Sequence, residues 1–251
     1  MDSNFKSLVI KFKEINKKGY IKGINNNLIN SAGLTLENLL NKKADSLFFP
    51  DYKDIEIKCT QRFSRYPISL FSLSFDGPEL FESNYLLENY GKYDNLIKSK
   101  KILITKLKYK EKILVYNKYH FELDIDYTKK KLYINIYDLN NNFIESRGFI
   151  DFDSLEKRTN IKLKKLALIF ASKKIINNNL WFRYYKINCY KFKNFDTFLD
   201  LIKTNDIEIT LMLRIGRSGK NLGKNKSKNM LFMINKNNIS KLFNKIYSYE
   251  K

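Results

Sequence analysis

The sequence predicts an α/β protein, in which helices and β-strands are mixed along one chain of 251 residues. Apolar residues recur at helical spacing in some stretches and alternate with polar residues in others, as in amphipathic helices and half-buried strands. A hydrophobic content of 43% and an aromatic content of 15% are enough to fill a core and argue against disorder. A chain of this length forms one large domain or two small lobes.

The first third of the chain is predicted to contain three helices and a short strand. Residues 1–22 have a roughly helical apolar period. Residues 34–43 place three leucines at i, i+3 and i+4, with Thr35 as the predicted N-cap. Residues 54–59 alternate polar and apolar side chains, which predicts a strand, and residues 79–90 are predicted to be helical.

The remainder is predicted to consist mainly of strands joined by Asn- and Lys-rich turns. The predicted strands are 68–74, 101–107, 113–119, 121–127, 131–137, 143–152, 165–171, 180–187, 207–215 and 230–234. A short helix is predicted to open at Asp153 or Ser154, an amphipathic helix at 192–204 and a last helix at 238–247. No internal repeat or Pro-rich linker divides the chain.

The charge balance predicts a polyanionic partner. The sequence has 47 basic and 26 acidic residues, a net charge of +21. Nucleic acid is favoured over a membrane surface because no amphipathic basic helix stands out. The alternative is codon bias, because an A/T-rich genome enriches Lys, Asn, Ile and Tyr; that bias would also raise Glu, which has not kept pace.

Several classes of protein are excluded by what the sequence lacks. The single histidine, His120, rules out His-rich zinc sites, and no Gly-rich phosphate loop indicates ATP hydrolysis. Cys59 and Cys189 build neither a disulfide framework nor a zinc site, which fits a reducing cytoplasm. No run of 18 apolar residues predicts a membrane span, and no signal peptide is expected.

The residues with the clearest chemistry lie between Pro50 and Lys58. In the predicted strand Glu56 and Lys58 share one face, because successive side chains point to opposite faces. A turn can swing the Asp51 carboxylate back beside Glu56. Two carboxylates and an ammonium at one strand end can hold Mg²⁺ and steer a water molecule for phosphodiester cleavage. The alternative is an ordinary edge strand with solvated charges.

Other acidic residues are weaker candidates. Glu37, beside the apolar stripe of the predicted helix 34–43, could point toward Asp51 and Glu56, or could be favoured there by the helix dipole alone. Glu122, Asp124 and Asp126 fall at period 2 on one strand face, where a second metal site is the alternative to an exposed acidic face.

Two basic stretches are candidates for contacts with nucleic acid. Residues 61–66 interleave Arg62 and Arg65 with aromatic residues, a pattern that suits sugar–phosphate backbone or stacked bases. Residues 211–230 have no acid, three glycines and six cations: Arg214, Arg217, Lys220, Lys224, Lys226 and Lys228. Glycine permits close approach of the backbone to a ligand, and the cations suit phosphates or guanine edges. The alternatives are a solvated loop and a disordered basic loop.

These motifs together resemble the MvaI/BcnI type II restriction endonucleases, relatives of the nicking enzyme MutH in the PD-(D/E)xK nuclease class. The resemblance rests on Gly33–Leu40 and Pro50–Lys58 and covers residues 18 to 245. It continues through Leu70-Phe71, Tyr90-Gly91-Lys92, Asp124-Ile125-Asp126, Phe152–Leu155, Arg214-Ile215-Gly216 and Ser218-Gly219-Lys220. The implied fold is a restriction-endonuclease-like core, a mixed β-sheet flanked by helices, with two lobes around a DNA-binding cleft.

The resemblance also implies roles for individual residues. Asp51 and Glu56 would bind Mg²⁺, for which Mn²⁺ would substitute; Lys58 would be the catalytic lysine and Glu37 an additional active-site glutamate. The implied enzyme cuts double-stranded DNA as a monomer, one strand at a time, without an obligatory protein partner, in the bacterial cytoplasm. The lobes would be approximately 1–105, catalytic, and 106–251, for DNA recognition.

The target sequence does not follow from the resemblance. After Arg214-Ile215-Gly216, family members carry base-reading histidines where this chain has Lys226-Ser227-Lys228, and Met233 replaces a basic residue. Two other functions remain alternatives at this point: a MutH-like nickase that needs a repair partner, and a catalytically inactive nucleic-acid-binding module.

Overall fold

The computed structural model describes residues 1–26, 31–41, 49–61, 63–77, 79–217, 219–226 and 230–251, with the backbone alone described for 79, 80, 220, 225 and 226. The chain forms two compact units. Unit 1 consists of Met1–Ile68, Thr159–Asn194 and Lys236–Lys251, and unit 2 of Ser69–Arg158 and Phe195–Asn235. Each unit draws on both sides of the predicted lobe boundary at residue 105. The assignment of catalytic and recognition roles to lobes 1–105 and 106–251 stays a prediction.

Helices and strands are mixed along the chain, as predicted. The described α-helices are α1 (Ser3–Lys17), α2 (Ser31–Leu39), α3 (Glu79–Tyr90), α4 (Phe152–Lys162), α5 (Phe195–Lys203) and α6 (Ile239–Leu242). The described strands are β1 (Ile21–Lys22), β2 (Glu56–Gln61), β3 (Ile68–Leu73), β4 (Lys92–Tyr93), β5 (Lys101–Leu107), β6 (Ile113–Val115), β7 (Tyr119–Asp126), β8 (Lys131–Tyr137), β9 (Phe143–Asp151), β10 (Lys165–Ile176), β11 (Asn179–Phe192), β12 (Ile207–Ile215), β13 (Asn225–Lys226), β14 (Met230–Ile234) and β15 (Phe243–Glu250).

Unit 1 is built on a mixed sheet with the strand order β1-β11-β10-β2, and β15 also pairs with β11. Strand β2 runs parallel to β10, whereas β10 and β11 are antiparallel. The turn between β10 and β11 has left-handed backbone at Asn177 (φ 47°) and Asn178 (φ 58°), which asparagine tolerates well and tight hairpins require. The predicted mixed sheet flanked by helices is confirmed.

Helices α1 and α2 cover one face of this sheet. The Asp2 carboxylate caps α1 by accepting hydrogen bonds from the backbone N–H groups of Asn4 and Phe5. A stripe of buried α1 side chains packs with Leu36 of α2 and Ile57 of β2 in one hydrophobic core. Burial of this stripe fixes the face of β2 that points inward, and residues at alternate positions point to the other face.

Unit 2 contains two sheets. One has the order β3-β14-β12-β5-β4, with β13 on β12, and the other is the antiparallel meander β6-β7-β8-β9. In the first, Phe71 of β3 stacks on Phe232 of β14 with ring centroids 4.9 Å apart, and Phe198 of α5 lies 5.8 Å from each. Helix α5 carries Asp196 in its first turn and Lys203 in its last, which complements the helix dipole.

The helix predicted over 1–22 ends at Lys17, and Ile21–Lys22 form strand β1 instead. Three further local predictions are wrong. Thr35 does not cap α2, which begins at Ser31; it is buried inside the helix, where its hydroxyl accepts a hydrogen bond from the Ile24 N–H at 3.2 Å. Helix α4 begins at Phe152, so the predicted caps at Asp153 and Ser154 lie within its first turn.

The third of these wrong predictions is the last helix, predicted over 238–247. It shrinks to the single turn α6, because residues from Phe243 onward pair with β11 as strand β15. Tertiary pairing overrides a weak local helical pattern. Among the described residues, no helix is long and apolar enough to cross a membrane.

Candidate active site

A tight turn places the Asp51 carboxylate at the start of β2. The backbone N–H of Tyr52 donates to the Ile55 carbonyl at 2.9 Å and the N–H of Ile55 to the Tyr52 carbonyl at 2.8 Å, while Lys53 adopts φ 53° between them. The chain is thereby reversed, and Asp51 Oδ2 accepts a hydrogen bond from the Ile57 N–H at 2.9 Å. The Asp51 carboxylate is therefore returned to the backbone of β2, next to the position of Glu56. That the two carboxylates share one metal site stays a prediction.

Glu56 and Lys58 lie on the same face of β2 and form an ion pair, with 2.7 Å between Lys58 Nζ and Glu56 Oε1. Glu56 is only 3% exposed, whereas Lys58 is half-buried. The alternative interpretation, an edge strand with solvated charges, does not describe a carboxylate buried to this degree. A buried carboxylate needs compensating partners, and Lys58 supplies one of two.

The second partner is Lys162, which sequence reasoning did not identify. Its Nζ lies 2.9 Å from Glu56 Oε2 and donates to the Phe49 carbonyl oxygen at 2.6 Å. Lys162 is 5% exposed and is the last residue of α4. The ammonium therefore links α4, β2 and the chain just before Pro50. The one signal in the sequence is a lysine between the apolar residues Ile161 and Leu163, which is too common to be specific.

This buried ion pair positions Glu56 more than it stabilises the fold. The desolvation of two charges roughly cancels their attraction, whereas removal of one partner leaves an uncompensated buried charge at a cost of about 3–5 kcal/mol. With a lysine on each oxygen, the Glu56 carboxylate is held in one orientation by charge-assisted hydrogen bonds.

Glu37 lies close to the strand that follows Lys58. It is half-buried on α2. Burial and, to a smaller extent, the negative charge of Glu37 together raise the pKa of the Cys59 thiol to about 12. This electrostatic effect places the Glu37 carboxylate near Cys59, on the face of β2 that packs against α2. Its predicted role as an additional active-site glutamate stays a prediction.

The carboxylates of Asp51 and Glu56 suit a hard divalent cation. Carboxylate oxygens are the ligands that Mg²⁺ prefers, and it retains several waters, so that two protein carboxylates suffice. A carboxylate offers about four lone-pair sites, so both groups can accept a further bond beside the partners they have. No cluster of three or more His, Cys, Asp or Glu side chains occurs in the described residues. The donor set thus fits a metal that relies on water and substrate for the rest of its shell.

The alternative second metal site in β7 is not supported. Glu122 is buried and accepts a hydrogen bond from the Tyr137 hydroxyl at 3.2 Å. Asp124 pairs with Lys110 at 2.7 Å, and Asp126 caps the following turn by accepting from the Thr128 and Lys129 N–H groups. Each of the three carboxylates therefore has a structural partner.

The loop after β2 exposes two aromatic rings and a cation. Phe63 is 86% exposed and Tyr66 84%, and Arg65 between them is also exposed. Large aromatic side chains with so little burial contribute little to a core. Arg62, the other predicted DNA contact of this loop, lies outside the described residues.

The predicted basic segment 214–228 has a more mixed outcome. Arg214 and Lys224 are exposed, as a role in binding requires. The backbone of Lys220 lies in a turn and that of Lys226 in β13, opposite Arg214, but their side chains lie outside the description, as does all of Lys228.

Arg217 has a structural partner. Its guanidinium lies 2.6 Å from Oδ2 of Asp94, a buried carboxylate. Asp94 Oδ1 accepts from the N–H groups of Leu96 and Ile97. The hydrogen bond from Arg217, followed by those from the backbone, lowers the pKa of Asp94. Arg217 therefore ties the end of β12 to the loop after β4, which is a more immediate role than the predicted DNA contact.

Gly216 is required by its own loop. A Cβ atom there would overlap the carbonyl oxygen of Asn221, and the Gly216 N–H and carbonyl are hydrogen-bonded to Lys224 and Gly223. The sequence predicted that glycine here lets the backbone approach a ligand closely. In the structure, Gly216 instead lets its backbone approach Asn221 of the same loop.

Comparisons with known proteins identify the family of this chain. The family model described as "MvaI/BcnI restriction endonuclease family" matches residues 9–243. The structure is similar to that of restriction endonuclease MvaI in complex with cognate DNA substrate, with 26% sequence identity, a TM-score of 0.88 and 98% of each chain covered. It is also similar to MvaI in the absence of DNA, with 26% identity, a TM-score of 0.62 and 98% of each chain covered. No curated protein sequence is significantly similar. The chain belongs to the MvaI/BcnI restriction endonuclease family.

Proposed function

We propose that this protein is a sequence-specific endonuclease that hydrolyses phosphodiester bonds of double-stranded DNA. The observation that carries the proposal is the arrangement of Asp51, Glu56 and Lys58 at one end of β2, with Glu56 buried between two lysines. Family membership supports the reaction class, and the similar MvaI structure with cognate DNA supports the substrate.

Asp51 and Glu56 would hold the divalent metal, which we propose is Mg²⁺, with Mn²⁺ as a substitute. When bound, such an ion polarises a phosphoryl oxygen and lowers the pKa of a coordinated water. The contribution of the protein is to keep two carboxylates side by side. The backbone N–H of Ile57 orients Asp51, and the two lysines orient Glu56.

The two lysines have different roles. Lys58 is half-buried, so its ammonium can turn from Glu56 toward a phosphate or an attacking water and offset charge that develops on the phosphate. Lys162 is buried and anchored to the Phe49 carbonyl, so it stays with Glu56 as a positioning residue. Attack of water on phosphorus with departure of the 3′-oxygen leaves 5′-phosphate and 3′-hydroxyl ends.

DNA binding is assigned to the exposed cations. Arg65, beside the two exposed rings after β2, and Arg214 and Lys224 are exposed, which supports a role for them in phosphate or groove contacts. Arg62, Lys220, Lys226 and Lys228 are proposed as further contacts from the sequence. We also propose that the enzyme acts as a monomer without an obligatory protein partner, cuts the two strands in turn, and works in the bacterial cytoplasm.

The test is to incubate the protein with phage DNA and Mg²⁺ and to sequence the fragment ends. Discrete ends at one short shared motif are expected. Nicks confined to hemimethylated sites would indicate a repair nickase instead, and shifted gels without cleavage in Mg²⁺ or Mn²⁺ would indicate a binding module.

Active-site variants then test the assignment. Glu56→Gln and Lys58→Ala should abolish cleavage and retain DNA binding measured without metal. Asp54→Asn is a matched control, because Asp54 adjoins the same strand but pairs with Lys165 at 2.5 Å. Wild-type cleavage by either active-site variant would overturn the assignment, provided that thermal melts show each variant folded.

A further inference from the structure

The face of the unit 1 sheet that carries Glu56 and Lys58 extends well beyond them. Strand β10 pairs with β2 so that Lys58 is opposite Leu168 and Thr60 is opposite Phe170. Paired residues share a face and every second residue returns to it, so this face continues along β10 through Ser172.

The same register carries the face onto the next strands. Ser172 pairs with Arg183, Lys174 pairs with Trp181, and Trp181 pairs with Lys22 of β1. Phe182, which lies between Trp181 and Arg183 on β11, points the other way and is buried in the core under α1 and α2. Lys22, Lys174 and Arg183 therefore form a cluster, here called the outer-face patch, on the side of the sheet that bears the candidate active site.

In the part of the chain that the structure describes, no acidic side chain pairs with this patch. Lys22 and Lys174 are exposed and Arg183 is half-buried, and in the described part of the chain none of the three forms an ion pair. Lys186, also on this face, differs because it pairs with Glu250 at 2.7 Å. The stretch 157–195, which includes β10 and β11, contains eleven Lys and Arg residues and no Asp or Glu.

Neighbouring side chains support the Lys174 end of the patch. The Lys174 ammonium lies 4.1 Å from the centre of the Tyr20 ring, and the Tyr20 hydroxyl is 3.2 Å from the Ser172 hydroxyl. The β10–β11 hairpin closes through a two-residue turn with both central residues left-handed. Cations carried on a regular two-stranded ribbon suit a regular array of phosphates better than a mobile acidic peptide.

We propose that the outer-face patch binds the DNA phosphate backbone to one side of the cleaved bond; this rests on the proposed function. Strand geometry gives the reach: Arg183 is two strands across and about four residues along from Lys58, which is roughly 16 Å. At about 3.4 Å per base pair, the contacts fall about five base pairs from the cleaved phosphate.

The experiment compares two double variants. Lys174→Gln/Arg183→Gln removes two charges of the patch. Lys173→Gln/Lys191→Gln is the matched control, because both lysines are exposed on β10 and β11 but lie at positions of the opposite face. Affinity for a duplex with the site identified by end sequencing is measured without metal at several salt concentrations. A plot of the logarithm of the association constant against the logarithm of salt concentration has a negative slope. The patch variant should make that slope shallower by about 2, and the control should leave it unchanged.

The length of the duplex supplies a second readout. With about ten base pairs on each side of the cleaved bond, the patch variant should bind more weakly than the wild type. With three base pairs on each side, the two proteins should bind equally, because the distal phosphates are missing. The charge-preserving variant Lys174→Arg/Arg183→Lys should restore the wild-type slope.

The outcomes separate this inference from the proposed function. If the wild type cuts DNA and the patch variant retains the wild-type slope on the long duplex, the patch does not bind DNA. A loss of affinity that persists on the short duplex would also overturn the proposal. If the wild type neither binds nor cuts DNA, the proposed function itself fails.

Discussion

The two regions that the sequence singles out, the β2 segment and the basic segment that begins at Arg214, hold their charges in opposite ways. Around β2 the charges are few and individually paired, and the central one is buried: Glu56 has a lysine on each oxygen, at 2.7 Å and 2.9 Å. In the basic segment Arg214 and Lys224 are exposed. There the backbone is fixed instead, by the packing of Gly216 and by the ion pair of Arg217 with Asp94.

The difference separates two ways of handling a polyanion. Chemistry on one bond needs groups in fixed positions, so each partner of Glu56 should be indispensable. Binding to the backbone depends on summed charge, so each exposed cation should contribute a small and similar amount. The two regions should therefore respond differently to single substitutions.

The largest effect is expected at Lys162. Lys162→Met keeps the volume of the side chain but leaves the buried Glu56 carboxylate with one partner. We expect a loss of about 3–5 kcal/mol in the free energy of unfolding. Displacement of Glu56 should also lower the cleavage rate by about 100-fold. Urea unfolding and single-turnover cleavage measure the two quantities.

A second substitution distinguishes positioning from general destabilisation. In Glu56→Gln/Lys162→Met the buried charge is removed with its partner, so most of the stability should return while cleavage stays absent. Lys162→Arg, which keeps the charge, should retain more activity than Lys162→Met. If Lys162→Met cleaves at the wild-type rate, Lys162 does not position Glu56.

An intermediate effect is expected at Gly216. Gly216→Ala forces a Cβ against the Asn221 carbonyl, and the resulting backbone shift should cost about 1–3 kcal/mol in the free energy of unfolding. The control is Gly33→Ala in helix α2, where a Cβ meets nothing within 4 Å. That substitution should stabilise the protein by about 0.5–1 kcal/mol. Equal unfolding midpoints for the two variants would contradict the packing role of Gly216.

Much of the fold and of the reactive segment follows from local pattern. The strands 207–215 and 230–234 have the predicted bounds, because their alternation is strong and each is stopped by turn residues. The turn that returns Asp51 to β2 was also predictable, because the hydrogen bond that it permits joins residues only six positions apart.

What the sequence does not predict depends on contacts between distant segments. Lys162 reaches Glu56 across 106 positions, and Arg217 reaches Asp94 across 123. The sequence around Lys162 and around Arg217 does not distinguish these two residues from nearby cations that are exposed to solvent. The C-terminal strand β15 is a similar case, because pairing with β11 decides its conformation.

The smallest effects should separate the cations of the basic segment from one another. Arg217→Gln removes the ionic partner of buried Asp94, so its thermal unfolding midpoint should fall while the salt dependence of DNA binding stays close to that of the wild type. Lys224→Gln, at an exposed position of the same segment, should keep the midpoint. It should make the negative slope of log K against log salt shallower by about 1. Thermal melts and binding titrations on both variants measure this. If Arg217→Gln instead made the slope shallower and left the midpoint unchanged, its pairing with Asp94 would be incidental and the original prediction of a phosphate contact would be restored.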